Sequence, residues 1–251
     1  MSVRWQELTG SDLKELSKRT EVAILPIGCV EWHGPHLPTG IDAFAADAIA
    51  VRAAEIEPAV VLPPIYYNIN DEMKCYPATI SIPPRTVVDL YHAICEECAR
   101  NGFNRIILLI GHGGSETTAD MVEAELLERR TRGEGIGYAV FWISCSQLGV
   151  ARREELIHTP IGHACEYETS LAMAIVPSFV RIERIEEDGP VKDRVVDATY
   201  RVDWIRRVPK GYIGKPQNAT AEKGRQIIDA SVGDLVKVIR QVKGFDPNAD
   251  A

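Results

Sequence analysis

The chain has 251 residues, with 36 acidic and 28 basic side chains and a formal net charge of −8. This acidic balance, without any basic block, excludes the usual electrostatic surface for nucleic acids. Hydrophobic residues make up 45% of the sequence, as in ordinary globular proteins, and no apolar run is long enough to span a bilayer. No signal peptide is recognisable, so we expect a cytoplasmic protein without a membrane partner. The length predicts a single domain over residues 1–251.

Strand-like and helix-like segments alternate along the chain. This predicts an α/β fold in a single domain, with a mostly parallel central sheet and helices on both faces. The predicted strands are Val22–Ile27, Val60–Leu62, Arg105–Ile110 and Gly137–Ser144. The predicted helices are Trp5–Arg19, Asp42–Glu57, Thr86–Asn101, Glu116–Arg132, a partly helical connector over Gln147–His158, a helix that opens at His163–Ser170 and runs to Ile175, and Ala221–Val242.

Two long segments, Ile65–Pro84 and Val180–Gly211, have no clear periodicity. Irregular stretches of this length in a compact domain are often binding loops. For Ile65–Pro84, a subunit contact explains the pattern equally well, so both interpretations stay open.

The segment after the first strand is the most informative part of the chain. Glu31, His33, His36 and Asp42 all follow the strand Val22–Ile27. Open α/β sheets bind ligands at the carboxyl ends of their strands. Imidazole and carboxylate groups together are typical ligands of zinc, manganese or iron.

Two further polar clusters resemble the first. One runs from Gly111 to Glu116, directly after the strand Arg105–Ile110, and the other runs from His163 to Ser170. Each cluster combines histidine with a carboxylate, and together the three clusters contain four of the six histidines: His33, His36, His112 and His163. We therefore predict a site for a divalent metal where the clusters meet.

The six cysteines are dispersed, which indicates free thiols. Cys95 and Cys98 form one CxxC pair but lack the second pair of a structural zinc site. Cys165 lies inside the third cluster, where a nucleophile or a small space-filling residue is possible, and we favour the latter.

These motifs together resemble the creatininase family of metal-dependent hydrolases. The resemblance runs from about Val22 to the last helix. It rests on Glu31-x-His33-Gly34-x-His36-Leu37-Pro38-x-Gly40-x-Asp42, Gly111-His112-Gly113-Gly114, His163-Ala164-x-Glu166-x-Glu168-Thr169-Ser170, Tyr76-Pro77-Ala78-Thr79 and Ala219-Thr220-Ala221-Glu222-Lys223-Gly224.

The resemblance implies a ligand set for one or two divalent ions (zinc, manganese or iron) per chain. Its first four members are Glu31, His33, Asp42 and His112, with Asp42 at the position that bridges two metals in binuclear relatives. Those relatives have a further carboxylate two residues after the second-cluster histidine, where this chain has Gly114. We expect Glu166 to supply the missing ligand, and Glu116 is the competing candidate.

The resemblance also suggests roles around the metal. We expect His163 to act as general acid, beside Glu166. His36 is expected to hold the first loop through a hydrogen bond, and Ser115 and Glu168 to support the ligands or touch the substrate.

Several positions near the expected ligands differ from most relatives: Ala78, Ile110, Ser115 and Cys165. We interpret this as a retained hydrolytic core with a changed small-molecule substrate. The expected reaction is hydrolysis of a small cyclic amide or formamide at its C–N bond. Ring-opening C–C hydrolysis of a cyclic diketone such as an oxidised inositol, peptide processing, and an inactive metal-stabilised binding or scaffold protein are the alternatives. The resemblance further implies a homo-oligomer, often a hexamer.

Overall fold

The structure is a computed structural model that describes residues 2–186 and 204–247. Its centre is a sheet of parallel strands in the order β2-β1-β3-β4. The strands are β1 (Val22–Ile27), β2 (Val60–Val61), β3 (Arg105–Ile110) and β4 (Ala139–Ser144).

Helices cover both faces of this sheet. In chain order they are α1 (Gly10–Ser17), α2 (Ile41–Ile56), α3 (Pro84–Arg100), α4 (Glu116–Thr131), α5 (Val150–Leu156), α6 (Glu166–Ile175) and α7 (Ala221–Lys243). One face is packed by α2, α6 and α7, and the other by α3 and α4. None of these helices has the length and apolar character needed to cross a bilayer.

The central strands β1 and β3 are apolar apart from Arg105 at the start of β3, as expected where both sides of the sheet are covered. In β1, the side chains of Val22 and Ile24 join the core under α2 and α7, whereas those of Ala23, Leu25 and Ile27 join the core under α3. This alternation follows from the two-residue period of a strand. The sheet is thus a packed layer, and the loops at one end of its strands can hold functional residues.

The helix α7 completes the hydrophobic core on the face of the sheet that α2 and α6 cover. Its apolar side chains recur every three or four residues, so they form one stripe that packs against α2 and α6. Alanines on α2 keep its own surface flat, which lets the two helices approach each other. The buried stripe of α7 comprises Ile227, Ile228, Val232, Leu235, Val236, Ile239 and Val242.

The predicted fold class is confirmed, and the predicted bounds of β1 and β3 are those of the structure. The single helix predicted over Trp5–Arg19 is wrong in extent. A short 3-10 turn, Trp5–Glu7, comes first, and α1 begins only after Thr9 caps its N-terminus by accepting a hydrogen bond from the Asp12 backbone N–H. Part of the irregular segment Val180–Gly211, residues 187–203, lies outside the described residues.

Candidate metal centre

The site forms where the chain leaves β1 and β3. These strands are neighbours in register, with Ile27 opposite Ile110, so the next residues, Gly28 and Gly111, lie side by side. The first turn of α2 packs directly on both glycines. A Cβ at Gly28 would lie 2.2 Å from the Ala43 nitrogen, and one at Gly111 would lie 2.3 Å from the Asp42 carbonyl oxygen. Only glycine permits this approach, which places Asp42 between the two loops.

Asp42 is the centre of the site. Its Oδ1 lies 3.0 Å from Nε2 of His33, and its Oδ2 lies 3.2 Å from Nδ1 of His112. It is buried in the first turn of α2, where the positive end of the helix dipole favours a carboxylate. One carboxylate thus faces a different imidazole with each of its oxygens.

Both imidazoles are held by their outer nitrogens. Nδ1 of His33 lies 3.2 Å from the Glu31 carbonyl oxygen, and Nε2 of His112 lies 3.2 Å from the Ile69 carbonyl oxygen. A carbonyl only accepts hydrogen bonds, so in a neutral ring the outer nitrogen carries the hydrogen. When a cation takes the place of the inner proton, the inner nitrogen has a lone pair for the ion, which is the arrangement that metal-binding histidines adopt.

Within the part of the chain that the structure describes, three overlapping groups of side chains have ligand atoms within 4.8 Å of one another. They share the Asp42 carboxylate or the Glu31 carboxylate. The donor set of imidazole, carboxylate and thiol suits a transition-metal ion. The groups are Cys29 with Glu31, Asp42 and His112; Glu31 with His33 and His163; and His33 with Asp42 and Glu168.

The charges of this centre call for cations. Burial raises the pKa of the Glu31 carboxyl, but His112 and His163 outweigh burial and lower that pKa to about 2. Burial likewise acts against ionised Asp42, yet His33 and His112 hold its pKa well below the usual range. Burial would lower the pKa of His33, but the Asp42 carboxylate raises it to about 10. Buried carboxylates are stable only with such positive partners, so the residues present fit a divalent ion.

The structure brings together four of the five predicted ligands, namely Glu31, His33, Asp42 and His112, but not Glu166. The Glu166 carboxylate instead lies 2.5 Å from Nζ of Lys223 on α7 and accepts a hydrogen bond from Thr159 at 2.6 Å.

The reason for this departure is the geometry of α6. Successive residues of a helix are rotated by about 100°, so residues two apart point to nearly opposite sides. The helix begins at Glu166. Glu166 therefore faces α7, whereas Glu168 faces His33 and Asp42. Glu168 was expected only to support the site or touch the substrate, and the helical phase makes it the carboxylate that reaches the cluster.

Burial raises the pKa of Glu168 to about 7. This carboxyl group also accepts a hydrogen bond from the Ala164 backbone N–H. A nearby cation would stabilise the ionised form of this carboxyl group.

The remaining predicted residues surround the ligands. His36 is buried, and its Nε2 lies 3.0 Å from Thr169 Oγ1, which ties the first loop to α6. Ser115 is buried and is not among the residues that line the cavity. Glu116 begins α4 and belongs to none of the candidate metal groups among the described residues.

Gly114 stands where a ligand of binuclear relatives is expected, and the structure shows what occupies that space. A Cβ at residue 114 would lie 2.5 Å from Nε2 of His112. Any side chain here would push against the ring that meets Glu31 and Asp42. The carboxylate missing at this position has a counterpart in Glu168, which approaches from the first turn of α6.

The centre opens into a cavity of about 320 Å³. One wall is formed by residues 69–73, so part of the irregular segment Ile65–Pro84 does line the pocket. Trp204 lies beside this wall and also lines the cavity: its Nε1 donates a hydrogen bond to Glu72 at 3.0 Å, and its ring meets that of His163 edge-on, with 5.3 Å between the ring centroids. A cavity of this size suits a small molecule.

Besides Glu168, two residues at the centre were not predicted as ligands. Cys29 was treated as an ordinary free thiol, although it stands two residues before Glu31, a spacing that puts both side chains on one side of an extended segment. His163 was predicted as a general acid, but it also belongs to a candidate metal group with Glu31 and His33.

Comparisons with known proteins agree with this geometry. The sequence model of the creatininase family, described as creatinine amidohydrolase, matches residues 6–239. Creatinine amidohydrolase of Pseudomonas putida is 29% identical over 88% of this chain and 89% of its own length. The 3-dehydro-scyllo-inosose hydrolase of Thermotoga maritima is 26% identical over 96% of this chain and 83% of its own length. The mycofactocin precursor peptide peptidase of Mycobacterium ulcerans is 28% identical over 96% of this chain and 93% of its own length.

Solved structures extend the match to the fold. A creatininase in an Mn form superposes with a TM-score of 0.85 at 27% identity, covering 97% of this chain and 99% of its own. A creatininase variant of Zn-Zn type superposes with a TM-score of 0.84 at 27% identity and the same coverage. The resemblance found in the motifs is thereby confirmed, and the chain belongs to the creatininase family of metal-dependent hydrolases.

Proposed function

We propose that this chain hydrolyses a C–N bond of a small cyclic amide or formamide, using divalent ions held at two adjacent positions. The observation that carries the proposal is the position of Asp42, whose Oδ1 meets His33 and whose Oδ2 meets His112. A carboxylate placed in this way can bridge two metals, as in binuclear hydrolases.

Both positions would use Asp42 of α2 and a residue of the loop after β1, and they differ in their third ligand. The first would be held by Glu31, Asp42 and His112, and the second by His33, Asp42 and Glu168. Ions bound there would polarise the substrate carbonyl and lower the pKa of a water molecule. The backbone carbonyls of Glu31 and Ile69 fix the two imidazoles, so little reorganisation is needed when ions bind.

His163 is suited to move a proton at the cavity wall. Its Nε2 lies 2.6 Å from the Trp32 carbonyl oxygen, so in the neutral ring Nε2 carries the hydrogen and Nδ1 the lone pair. Burial and the charge of His33 lower the pKa of His163 to about 4, which leaves the ring neutral at pH 7. In this proposal, neutral His163 would take up at Nδ1 the proton that the attacking water gives up, and would then pass it to the leaving nitrogen.

The substrate class rests on the cavity and on the relatives. A volume of about 320 Å³ holds a small ring. The relative named creatinine amidohydrolase matches most of this chain, and amide hydrolysis needs only the polarised carbonyl and the proton carrier described above.

Ring opening of a cyclic diketone is the second candidate. The cavity lining includes Asp71 and Glu72, whose carboxylates can accept hydrogen bonds from the hydroxyls of a polyol ring. A relative named 3-dehydro-scyllo-inosose hydrolase matches 96% of this chain.

The test combines metal analysis with a substrate screen. The purified protein is reconstituted with zinc, manganese or iron(II) and assayed against matched panels of cyclic amides, formamides and cyclic diketones. Asp42→Asn removes a ligand from both positions, and Asp47→Asn, on the same helix but paired with Arg4, is the matched control. We expect metal binding and hydrolysis in the wild type and in the control, and neither in Asp42→Asn.

Two outcomes would contradict the proposal. If the wild-type protein takes up no divalent ion under reconstitution, the chain is a binding or scaffold protein with a degenerate site. If hydrolysis persists after complete chelation, the reaction does not use the metal centre. Turnover of diketones without turnover of amides would assign the second candidate instead.

A further inference from the structure

We propose that Cys29 binds the metal as a thiolate, in the position formed by Glu31, Asp42 and His112. This inference rests on the metal site of the proposed function and concerns the fourth donor of one position. A thiolate there would bias the centre toward zinc, cobalt and iron(II) and away from manganese.

The position of the sulfur supports this role. Cys29 Sγ lies 3.3 Å from Oε2 of Glu31 and 3.2 Å from Oδ2 of Asp42. Nδ1 of His112 lies 3.0 Å from the same Glu31 oxygen and 3.2 Å from the same Asp42 oxygen. The sulfur and the imidazole nitrogen thus approach one pair of oxygens, and all four donor atoms lie within 4.8 Å of one another. Four donors of nitrogen, oxygen and sulfur type match the coordination number that zinc adopts in most protein sites.

The surroundings of Cys29 fix where its sulfur lies. The residue is fully buried just after β1, where Gly28 is packed tightly on the first turn of α2. From the cavity wall formed by residues 69–73, the amide Nδ2 of Asn70 donates a hydrogen bond to Cys29 Sγ at 3.6 Å. An N–H aimed at a sulfur stabilises negative charge on it, and such outer partners tune metal-bound ligands.

The other cysteines show that this placement is specific. Among the described residues, Cys29 alone of the cysteines belongs to a candidate metal group. Cys145 is also buried and lies near the same end of the sheet, at the end of β4, but it is not a member. Cys145 is therefore a suitable control.

A simpler role is possible for the same contacts. Cys29 could keep its proton and donate a hydrogen bond to one carboxylate, which would position that ligand without binding the ion. A serine hydroxyl would do the same. Serine at position 29 would therefore preserve the hydrogen-bonding role but not the metal-binding role, because a neutral hydroxyl is a much poorer ligand for a soft ion than a thiolate.

The experiment uses cobalt(II) as a spectroscopic probe in the wild type, Cys29→Ser and Cys145→Ser. A thiolate bound to cobalt(II) gives an intense near-ultraviolet charge-transfer band that oxygen and nitrogen ligands lack. We expect this band in the wild type and in Cys145→Ser, and its loss in Cys29→Ser that still takes up cobalt. The wild-type spectrum remains decisive even if Cys29→Ser does not fold.

A competition measurement provides the second readout. Losing even an outer partner of a ligand costs about 10–100-fold in metal affinity, so losing the thiolate should lower the zinc-over-manganese affinity ratio by at least about tenfold. A wild type that binds cobalt without the band, or an unchanged ratio in Cys29→Ser, would overturn this inference and leave the proposed function standing. A wild type that binds no cobalt, zinc or manganese would overturn both.

Discussion

The ion pair between Glu166 and Lys223 offers a sharp test of which carboxylate of α6 serves the metal. It joins α6 to α7, with 2.5 Å between Oε1 of Glu166 and Nζ of Lys223. The Glu166 side chain is 2% exposed and that of Lys223 is 28% exposed. Because the two partners differ in burial, replacing one should lower the free energy of unfolding by a different amount than replacing the other.

Replacing Lys223 leaves a buried carboxylate without its cation. Breaking a buried pair in this way costs about 3–5 kcal/mol. The Thr159 hydroxyl, 2.6 Å from Glu166, still donates a hydrogen bond, so we expect Lys223→Met to lie near the lower end, at about 3 kcal/mol. For a chain of this length that corresponds to a fall in Tm of about 6–12 °C. Glu166→Gln leaves an ammonium that can turn to water, so we expect only about 1–2 kcal/mol.

The assay is urea denaturation in the presence of a chelator, followed by elemental analysis of the reconstituted variants. We expect Lys223→Met and Glu166→Gln to keep the metal content of the wild type, and Glu168→Gln, two residues along the same helix, to lose part of it. If Glu166→Gln lost metal and Glu168→Gln did not, the assignment of the ligands on α6 would be reversed. If Lys223→Met proved as stable as the wild type, the ion pair would not stabilise the fold.

Three further results are expected. Chelation should lower Tm by about 5–11 °C relative to protein with an ion at about 100 times its Kd, because such binding contributes about 2.7 kcal/mol to stability; an unchanged Tm would argue against a bound ion. Gly114→Ala should weaken metal binding about 10–100-fold, because its Cβ would lie 2.5 Å from the His112 ring, whereas Gly113→Ala, with nothing within 4 Å, should not; equal affinities would contradict this. Light scattering after gel filtration should give a mass that is a multiple of the chain mass, and a single-chain mass would contradict the predicted homo-oligomer.

The sequence was most informative where one physical pattern dominates. The unbroken apolar runs of β1 and β3 have no other stable place than the middle of a covered sheet, so their bounds could be predicted to the residue. The same strands fix where the first two clusters must lie. The strands indicated that the clusters meet at one edge of the sheet, and the family resemblance supplied the ligands Glu31, His33, Asp42 and His112.

The third cluster was harder because its side chains depend on a helical phase. The motif around His163 does not reveal at which residue α6 begins, and a shift of two residues exchanges Glu166 for Glu168. The role of Lys223 was equally hidden, since it comes from a helix more than fifty residues later. Cys29 was missed for another reason: a buried thiol is common, and only the distances to Glu31 and Asp42 distinguish it.

The shared carboxylate of Asp42 has a consequence for how the two proposed positions fill. Because both would use the same side chain, occupancy of one must change the affinity of the other. Thermodynamic linkage requires that factor to be the same whichever position fills first. Loading is therefore expected to deviate from two independent binding curves. Replacing His33 or His112 would convert this cooperative curve into a single simple one, whereas replacing Asp42 would abolish both steps together.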